Sequence, residues 1–364
     1  MVNKLIFANL AHRPLRTFLS VLAIGVEVTM ILTLVGVSFG TLDSSKRRAE
    51  GVGADVLVRP PGSSIISLSS APMSDKTVPI LAALPGVKIA TGTVVQSLGG
   101  FDTLTGIDYP VLAKMSGGFQ FLSGGPFEHD DDVIVDNYYA QQKKVRVGDH
   151  LSLANHDWRV SGIFESGKLT RIAARLNVIE EITNNPGKLS QIYIKLDDPK
   201  KADAFVVDLK KRLPGYQIYS MAEYTSLLTV SSVGMLKDFI GVVIGVAGIV
   251  GFIVVFMAMY TAVLERTREI GILKAVGAGP AYILNILFRE TLLLALIGTA
   301  FGIAMTYGTQ WLMRYAVPAS LVQETVHWWW PIAGAIAVVG ALLGTIVPAL
   351  KAVRQDATEA LSYE

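Results

Sequence analysis

The chain has 364 residues, of which 51% are hydrophobic and 17% charged, and a net charge of +2. A soluble domain carries about a quarter charged residues, so this composition and a mean hydropathy of +0.46 indicate a membrane protein. The small net charge and the lack of a basic stripe interleaved with aromatics argue against nucleic-acid binding, and the absence of cysteine excludes disulfides and thiolate metal sites.

Within residues 1–16, Val2, Leu5, Ile6 and Leu10 recur at helical spacing among Asn3, Lys4 and Asn9. This pattern predicts an amphipathic helix on the membrane surface, with Pro14 marking the turn upward. Residues 17–40 form the first apolar run, long enough to cross a bilayer as a helix and too long for a cleavable signal. Glu27 is the one acidic residue deep in a span and marks a candidate intramembrane polar site, expected to hydrogen-bond a neighbouring helix or to face a cavity. No second mid-span ionisable partner accompanies it, as a proton relay would require.

Residues 41–237 read as a mixed α/β domain. Strands are predicted over Asp55–Arg59, Val94–Gly100, Val133–Asp136, His150–Ala154, Trp158–Phe164 and Gln191–Leu196, punctuated by turns at Pro60-Pro61-Gly62, Gly124-Gly125-Pro126 and Gly148-Asp149. Helices are predicted over Asp136–Lys144 and Lys200–Arg212, the second with Ala202, Phe205, Val206 and Leu209 on one face. His129, Asp130, Asp131 and Asp132 read as an exposed acidic turn. With His150 and His156 downstream they match no metal-ligand spacing, and no metal or catalytic site is assigned.

Three further spans follow at 238–264, 281–314 and 328–350, separated by a charged helix at 265–280 and a short outer loop at 315–327, and ending in a tail at 351–364. Trp328, Trp329 and Trp330 form an aromatic anchor at the outer interface. Glycines recur four apart in each span, as Gly36/Gly40, Gly241/Gly245, Gly298/Gly302 and Gly340/Gly344, and are expected to form helix-packing seams.

Lys4, Arg13 and Arg16, then Arg266, Arg268, Lys274 and Arg289, then Lys351 and Arg354 all fall on one side of a four-span topology. That side is therefore expected to be cytoplasmic, with both termini inside and the α/β domain extracytoplasmic. The fold class is an α-helical membrane protein of four transmembrane helices with an inserted mixed α/β extracytoplasmic domain.

The stretch from Glu265 to Pro280 is a short charged helix. Glu265/Arg268 and Arg266/Glu269 are spaced to pair along it, Ile270, Leu273 and Val276 form an apolar stripe, and Gly277 with Pro280 ends it. The string from Glu265 to Gly277 closely resembles the signature loop of the MacB/FtsX-type permeases of ABC transporters. Phe288, Glu290, Gly298 and Gly302 resemble that family's third-span opening. Pro348-Ala349, Ala352, Asp356 and Glu359-Ala360-Leu361 resemble its tail, and Asn9-Leu10 with Arg16-Thr17 its pre-span helix. The Val133–Val135, Val145–Asp149 and Val160–Ile163 patterns resemble its outer core. Ala357-Thr358 and Arg289 depart from the family pattern.

The resemblance implies a permease of the bacterial cytoplasmic (inner) membrane that works as a dimer, with a second copy or a paralogue. It implies mechanotransmission: an ABC ATPase subunit docks on the helix carrying Glu265, Arg266, Arg268, Glu269, Gly271, Lys274 and Gly277. The expected cargo is an amphiphile such as a lipid, lipoprotein, peptide, haem or drug, moved by export or extraction. A Gly-x-x-x-x-Gly-Lys-Ser/Thr loop is absent from the sequence, so the chain is expected not to be an enzyme, and ATP and Mg are expected on the partner. The resemblance leaves open a periplasmic adaptor on the outer domain. Two other readings are a regulator of an extracytoplasmic cell-wall hydrolase and a secondary transporter, the latter weakened by the lack of internal repeats or broken spans.

Overall fold

The computed structural model describes residues 14–63, 72–99, 102–229, 234–316 and 321–354. The predicted N-terminal surface helix and the tail beyond Arg354 lie outside the described residues. The chain divides into two units. One holds 1–38, 235–312 and 323–364; the other holds 39–234 and 313–322.

The first unit is a helical bundle. Among the described residues, four helices are long and apolar enough to cross a membrane: Pro14–Glu50, Gly234–Glu265, Pro280–Ala316 and Trp330–Arg354. Pro14 stands at the start of the first, where its missing N–H is no loss. The expected boundary at Gly40 is not a helix end: the helix runs on to Glu50, and Phe39 onward belongs to the second unit. The polar segment Thr41–Glu50 ends the hydropathy signal without ending helix propensity.

Small residues bring the helices of the bundle together. A Cβ at Gly302 would lie 2.6 Å from the Gly25 carbonyl oxygen and 2.7 Å from the Val28 Cβ; at Gly298 it would meet the Ile24 Cβ at 2.7 Å. The Thr29 hydroxyl donates to the Gly302 carbonyl at 3.0 Å, and the Thr33 and Thr309 hydroxyls pair at 3.0 Å, so the first and third helices are joined by packing and by hydrogen bonds. Gly344 packs on the Phe252 carbonyl and a Cβ at Gly340 would lie 3.7 Å from that of Gly248, joining the fourth helix to the second; Thr291 and Thr345 link the third and fourth. Gly36 lies under the Glu324 backbone, and Gly40 is buried. Among the described residues the expected seam at Gly241/Gly245 is not found: a Cβ at either meets none of them within 4 Å. Spacing places two glycines on one helix face but does not say what that face meets.

The second unit is built on a ten-stranded mixed sheet. Its strands are β1 (Val56–Arg59), β2 (Met73–Ser74), β3 (Val87–Ser97), β4 (Thr103–Ile107), β5 (Phe121–Gly124), β6 (Asp132–Asp136), β7 (His150–Leu153), β8 (His156–Phe164), β9 (Ile172–Arg175), β10 (Lys188–Leu189), β11 (Gln191–Leu196) and β12 (Gln217–Ser220). The order is β12-β1-β11-β3-β4-β9-β6-β8-β5, with β7 on β8, while β2 and β10 pair separately. β4–β9 and β6–β8 are parallel; the other ladders are antiparallel. β7 and β8 form a hairpin across Ala154 and Asn155, both at positive φ.

Both sheet faces are covered, so the central strands read as unbroken apolar runs. Val56, Val58, Val133, Val135, Ile172, Ala174, Ile192 and Ile194 face one core, together with Val206 and Leu209 of the helix Ala202–Arg212. The alternate residues Leu57, Ile134, Ala173 and Tyr193 face the other, with Ala49, Val52, Leu112 and Met115. The other strand and helix assignments made from sequence match within a few residues, but β3 begins at Val87, well before the expected Val94; β2, β4, β5, β9, β10, β12 and the four short helices Thr77–Ala82, Tyr109–Ser116, Leu176–Ile182 and Met221–Leu227 are not among the expected elements.

Asp132 corrects the reading of an exposed acidic turn. It is fully buried, accepts from the Glu128 and His129 N–H groups at 2.7 Å each, and pairs with Arg159 at 2.8 Å. Burial raises its pKa, but the hydrogen bonds from Arg159, His129 and Glu128 outweigh that and hold it at about 2.

Two predictions follow from this packing. Gly302→Ala should cost about 1–3 kcal/mol by overpacking, lowering the melting temperature of the detergent-solubilised protein, whereas Gly241→Ala should leave it unchanged. Asp132 contributes stability above its unfolded value near pH 4, and this contribution is lost as pH falls through about 2. The contribution is at most about 2 kcal/mol, because solvent screens the partly exposed Arg159. The melting-temperature gap between the native protein and Asp132→Asn should therefore be open at pH 5 and close toward pH 2.

Candidate functional site: a pinned charged helix at one end of the bundle

Arg266 breaks the second long helix. With φ −108° and ψ 16° it ends Gly234–Glu265 and starts the short helix Thr267–Ala275, whose first turn is tied back by the Thr267 hydroxyl donating to Leu264 O at 2.8 Å. Gly277 at φ +97° closes the short helix, and its N–H and that of Ala278 donate to Lys274 O and Leu273 O. Pro280 then opens the third long helix.

Three contacts hold the short helix and the junction before it to the bundle. The Arg266 guanidinium donates to both oxygens of Glu290, at 3.2 and 3.0 Å, in a pair with side chains 8% and 1% exposed. Arg16, from the first long helix, pairs with Glu265 at 3.2 Å and lies 3.9 Å from Glu290. The Lys274 ammonium donates to the Val353 carbonyl at 2.7 Å, reaching the end of the fourth helix. All four long helices thus meet at this cluster: the first through Arg16, the second through Glu265, the third through Glu290 and the fourth through Val353.

These contacts divide the sequence-predicted site residues into two sets. Glu265, Arg266 and Lys274 reach into the bundle, and Gly271 is buried beside Ile270. Arg268, Glu269 and Gly277 are exposed, joined by Ile272 and by Val276, which is 84% exposed. The expected surface pairs Glu265/Arg268 and Arg266/Glu269 give way to tertiary partners, because a buried guanidinium gains more from a buried carboxylate than from a solvated one. The expected apolar stripe is also rotated: Ile270 faces inward, but Val276 faces out. Glu290 had drawn notice only through the resemblance. The signal for its role was an acidic residue placed where a span begins, opposite a basic one where another ends.

Glu27 lies elsewhere in the bundle. It is buried, its carboxyl is seated against Gly251 of the second long helix, and Oε1 has no hydrogen-bond partner among the described residues. Oε1 thus lacks the hydrogen bond that was one of its two expected states, and the carboxyl fills space that a side chain at position 251 would close. No group of three or more His, Cys, Asp or Glu among the described residues is placed to hold a metal.

Breaking the Arg266–Glu290 pair should be costly, because either partner alone is a buried uncompensated charge. Glu290→Gln is expected to destabilise by about 3–5 kcal/mol, read as a drop in melting temperature. Arg266→Met combined with Glu290→Leu should recover most of that loss.

Two family models match the chain: the MacB-like periplasmic core domain over residues 17–212 and the FtsX-like permease C-terminal region over 241–357. Among curated relatives, the uncharacterized ABC transporter permease YknZ of Bacillus subtilis is 33% identical over 45% of this chain and 41% of its own length. The macrolide export ATP-binding/permease protein MacB of Shewanella sp. is 26% identical over 99% of this chain and 60% of its own length, so the match spans less than two thirds of either relative. An uncharacterized ABC transporter permease of Methanocaldococcus jannaschii, MJ1507, is 23% identical over 82% of this chain and 81% of its own length. The solved periplasmic region of MacB from Actinobacillus actinomycetemcomitans aligns with 48% of this chain and 92% of that structure at 14% identity and a TM-score of 0.36. With more than half of its residues matched by the first family model and most of its later helices by the second, the chain belongs to the MacB/FtsX-type family of ABC transporter permeases.

Proposed function

We propose that the chain converts ATP-driven motion of an ATPase outside these residues into movement of its α/β unit, exporting or extracting an amphiphilic cargo such as a lipid, lipoprotein, peptide, haem or drug. ATP and magnesium belong to that ATPase, and the permease itself performs no chemistry. The name of the Shewanella relative joins ATP-binding and permease functions in one protein, which supports this division of labour.

The observation that carries the reading is the two-faced short helix. Its N-terminal junction is tied to the long helices by Arg16–Glu265 and Arg266–Glu290, and its own Lys274 reaches Val353 of the fourth. Its exposed face presents Arg268, Glu269, Ile272 and Val276 with no packing beneath them. An apolar pair rimmed by charges marks an interaction surface, and the attachment of the helix and its junction to every span makes it an efficient place to apply force. The basic residues of the short loops support a cytoplasmic position for this helix in a bacterial inner membrane, with the α/β unit outside. The unfilled Gly241/Gly245 face of the second long helix supports a second permease copy or paralogue beside this one.

Arg268→Glu with Glu269→Arg, and separately Ile272→Asp, should leave the protein inserted and melting as the native chain does. Each should weaken co-purification of the ATPase by roughly 30-fold or more, as loss of a central interface residue does. Recovery of the ATPase with normal substrate-stimulated hydrolysis would remove the docking role from this face.

A further inference from the structure

The first long helix does not simply end at the α/β unit; its last turns are built into it. Ala49 is buried and Val52 follows just beyond the helix, both in the core against Leu57, Ile107 and Ile134. Gly51 approaches the Gly167 backbone so closely that a Cβ would strike its carbonyl, and the Leu169 N–H donates to Arg48 O at 2.8 Å. These contacts hold the helix against withdrawal. Apolar contact is non-directional, so it resists rotation of the helix about its own axis much less.

Besides the Leu169–Arg48 backbone bond, directional side-chain contacts converge on one residue. Arg171, buried just before β9, donates through one terminal nitrogen to Asp136 Oδ2 at 3.0 Å and through the other to Ser44 Oγ on the helix at 3.2 Å. Asp136 ends β6, also caps the following helix by accepting from the Tyr139 N–H at 2.7 Å, and donates its own N–H to Arg171 O at 2.7 Å. Arg48, one turn beyond Ser44, donates to the Ser44 hydroxyl at 2.7 Å and the Ser45 hydroxyl at 3.0 Å, fixing the acceptor that Arg171 uses. The planar guanidinium therefore spans three elements in one fork, a geometry that an ammonium cannot reproduce. β6 and β9 are neighbours inside the sheet, so what reaches Arg171 reaches the middle of the unit.

We propose that Arg171, with Ser44 and Asp136, is a rotational clamp that makes the end of the first long helix and the sheet turn as one body, so these are positioning residues for coupling. The assignment rests on the proposed mechanical function for its purpose but not for its geometry.

The chain has no cysteine, which allows Glu50→Cys and Gln141→Cys, both exposed in the α/β unit, to be spin-labelled in the full-length protein in lipid nanodiscs. The background should give a narrow distance distribution by pulsed electron paramagnetic resonance. Ser44→Ala, which leaves the buried Arg171–Asp136 pair intact, should broaden it at least twofold without loss of the native melting transition. Arg171→Lys, which keeps the charge but not the fork, should do the same, and Ser44→Thr should restore the narrow distribution. A distribution as narrow as the background in Ser44→Ala, or broadening that Ser44→Thr fails to reverse, would overturn the clamp. With the ATPase bound, the background distance should stay the same when nucleotide is added, whereas Ser44→Ala should gain a nucleotide-dependent distance change while the rate of ATP hydrolysis stays within twofold of the background. Because the first measurement uses no ATPase, a failure of the docking face would leave it untouched, and the two ideas fall separately.

Discussion

Arg266 and Glu290 are charged groups withdrawn almost entirely from water, at the point where one long helix ends and another begins. Neither could stay there alone, since an isolated buried charge costs several kcal/mol even after the surroundings relax. Their mutual requirement fixes the geometry around them. Arg266 must leave the helical conformation at the junction, so the chain turns into the short helix Thr267–Ala275 instead of fraying. The rotation of that helix then follows: Ile270 and Gly271 go inward with the buried arginine, and Arg268, Glu269, Ile272 and Val276 are left outward. A loop that obeyed only the positive-inside rule would carry the same charges with no preferred face.

Hydropathy and periodicity made much of this architecture legible. Twenty-residue apolar runs have few alternatives to a membrane helix, and Val133-Ile134-Val135 or Gln191–Leu196 could be read as strands because both faces of the sheet are covered. The unpredicted strands are short and unremarkable in composition: β4 is Thr-Leu-Thr-Gly-Ile, with Gly106 in it, and β9 is Ile-Ala-Ala-Arg. Their places depend on pairings distant in sequence, such as β4 beside β9, which local pattern does not encode. The same limit explains Glu50. Hydropathy reports where apolar side chains stop, while the helix continues because Ser44, Arg48 and Ala49 have partners far along the chain.

The site was legible in part for a similar reason. The charged stretch from Glu265 to Gly277 could be recognised as one element, but charges spaced three apart suggested pairing along the helix, and the strongest partners came from Arg16 and Glu290. The glycines behave alike. Gly298 and Gly302 are closely packed and Gly241 and Gly245 are not, although all four satisfy the same spacing. Gly251, which has no glycine four residues away, is the one that accommodates the Glu27 carboxyl.

The two kinds of contact in this chain divide by what each can transmit. Glycine and threonine seams bring helices close through backbone approach and neutral hydrogen bonds. Arginine forks fix orientation, and they lie near the two ends of the first long helix, at Arg16 in the charged cluster and at Ser44 against Arg171. An unbroken helix is stiff along and about its axis. Orienting contacts near both ends of one helix are what the proposed mechanical function asks of it.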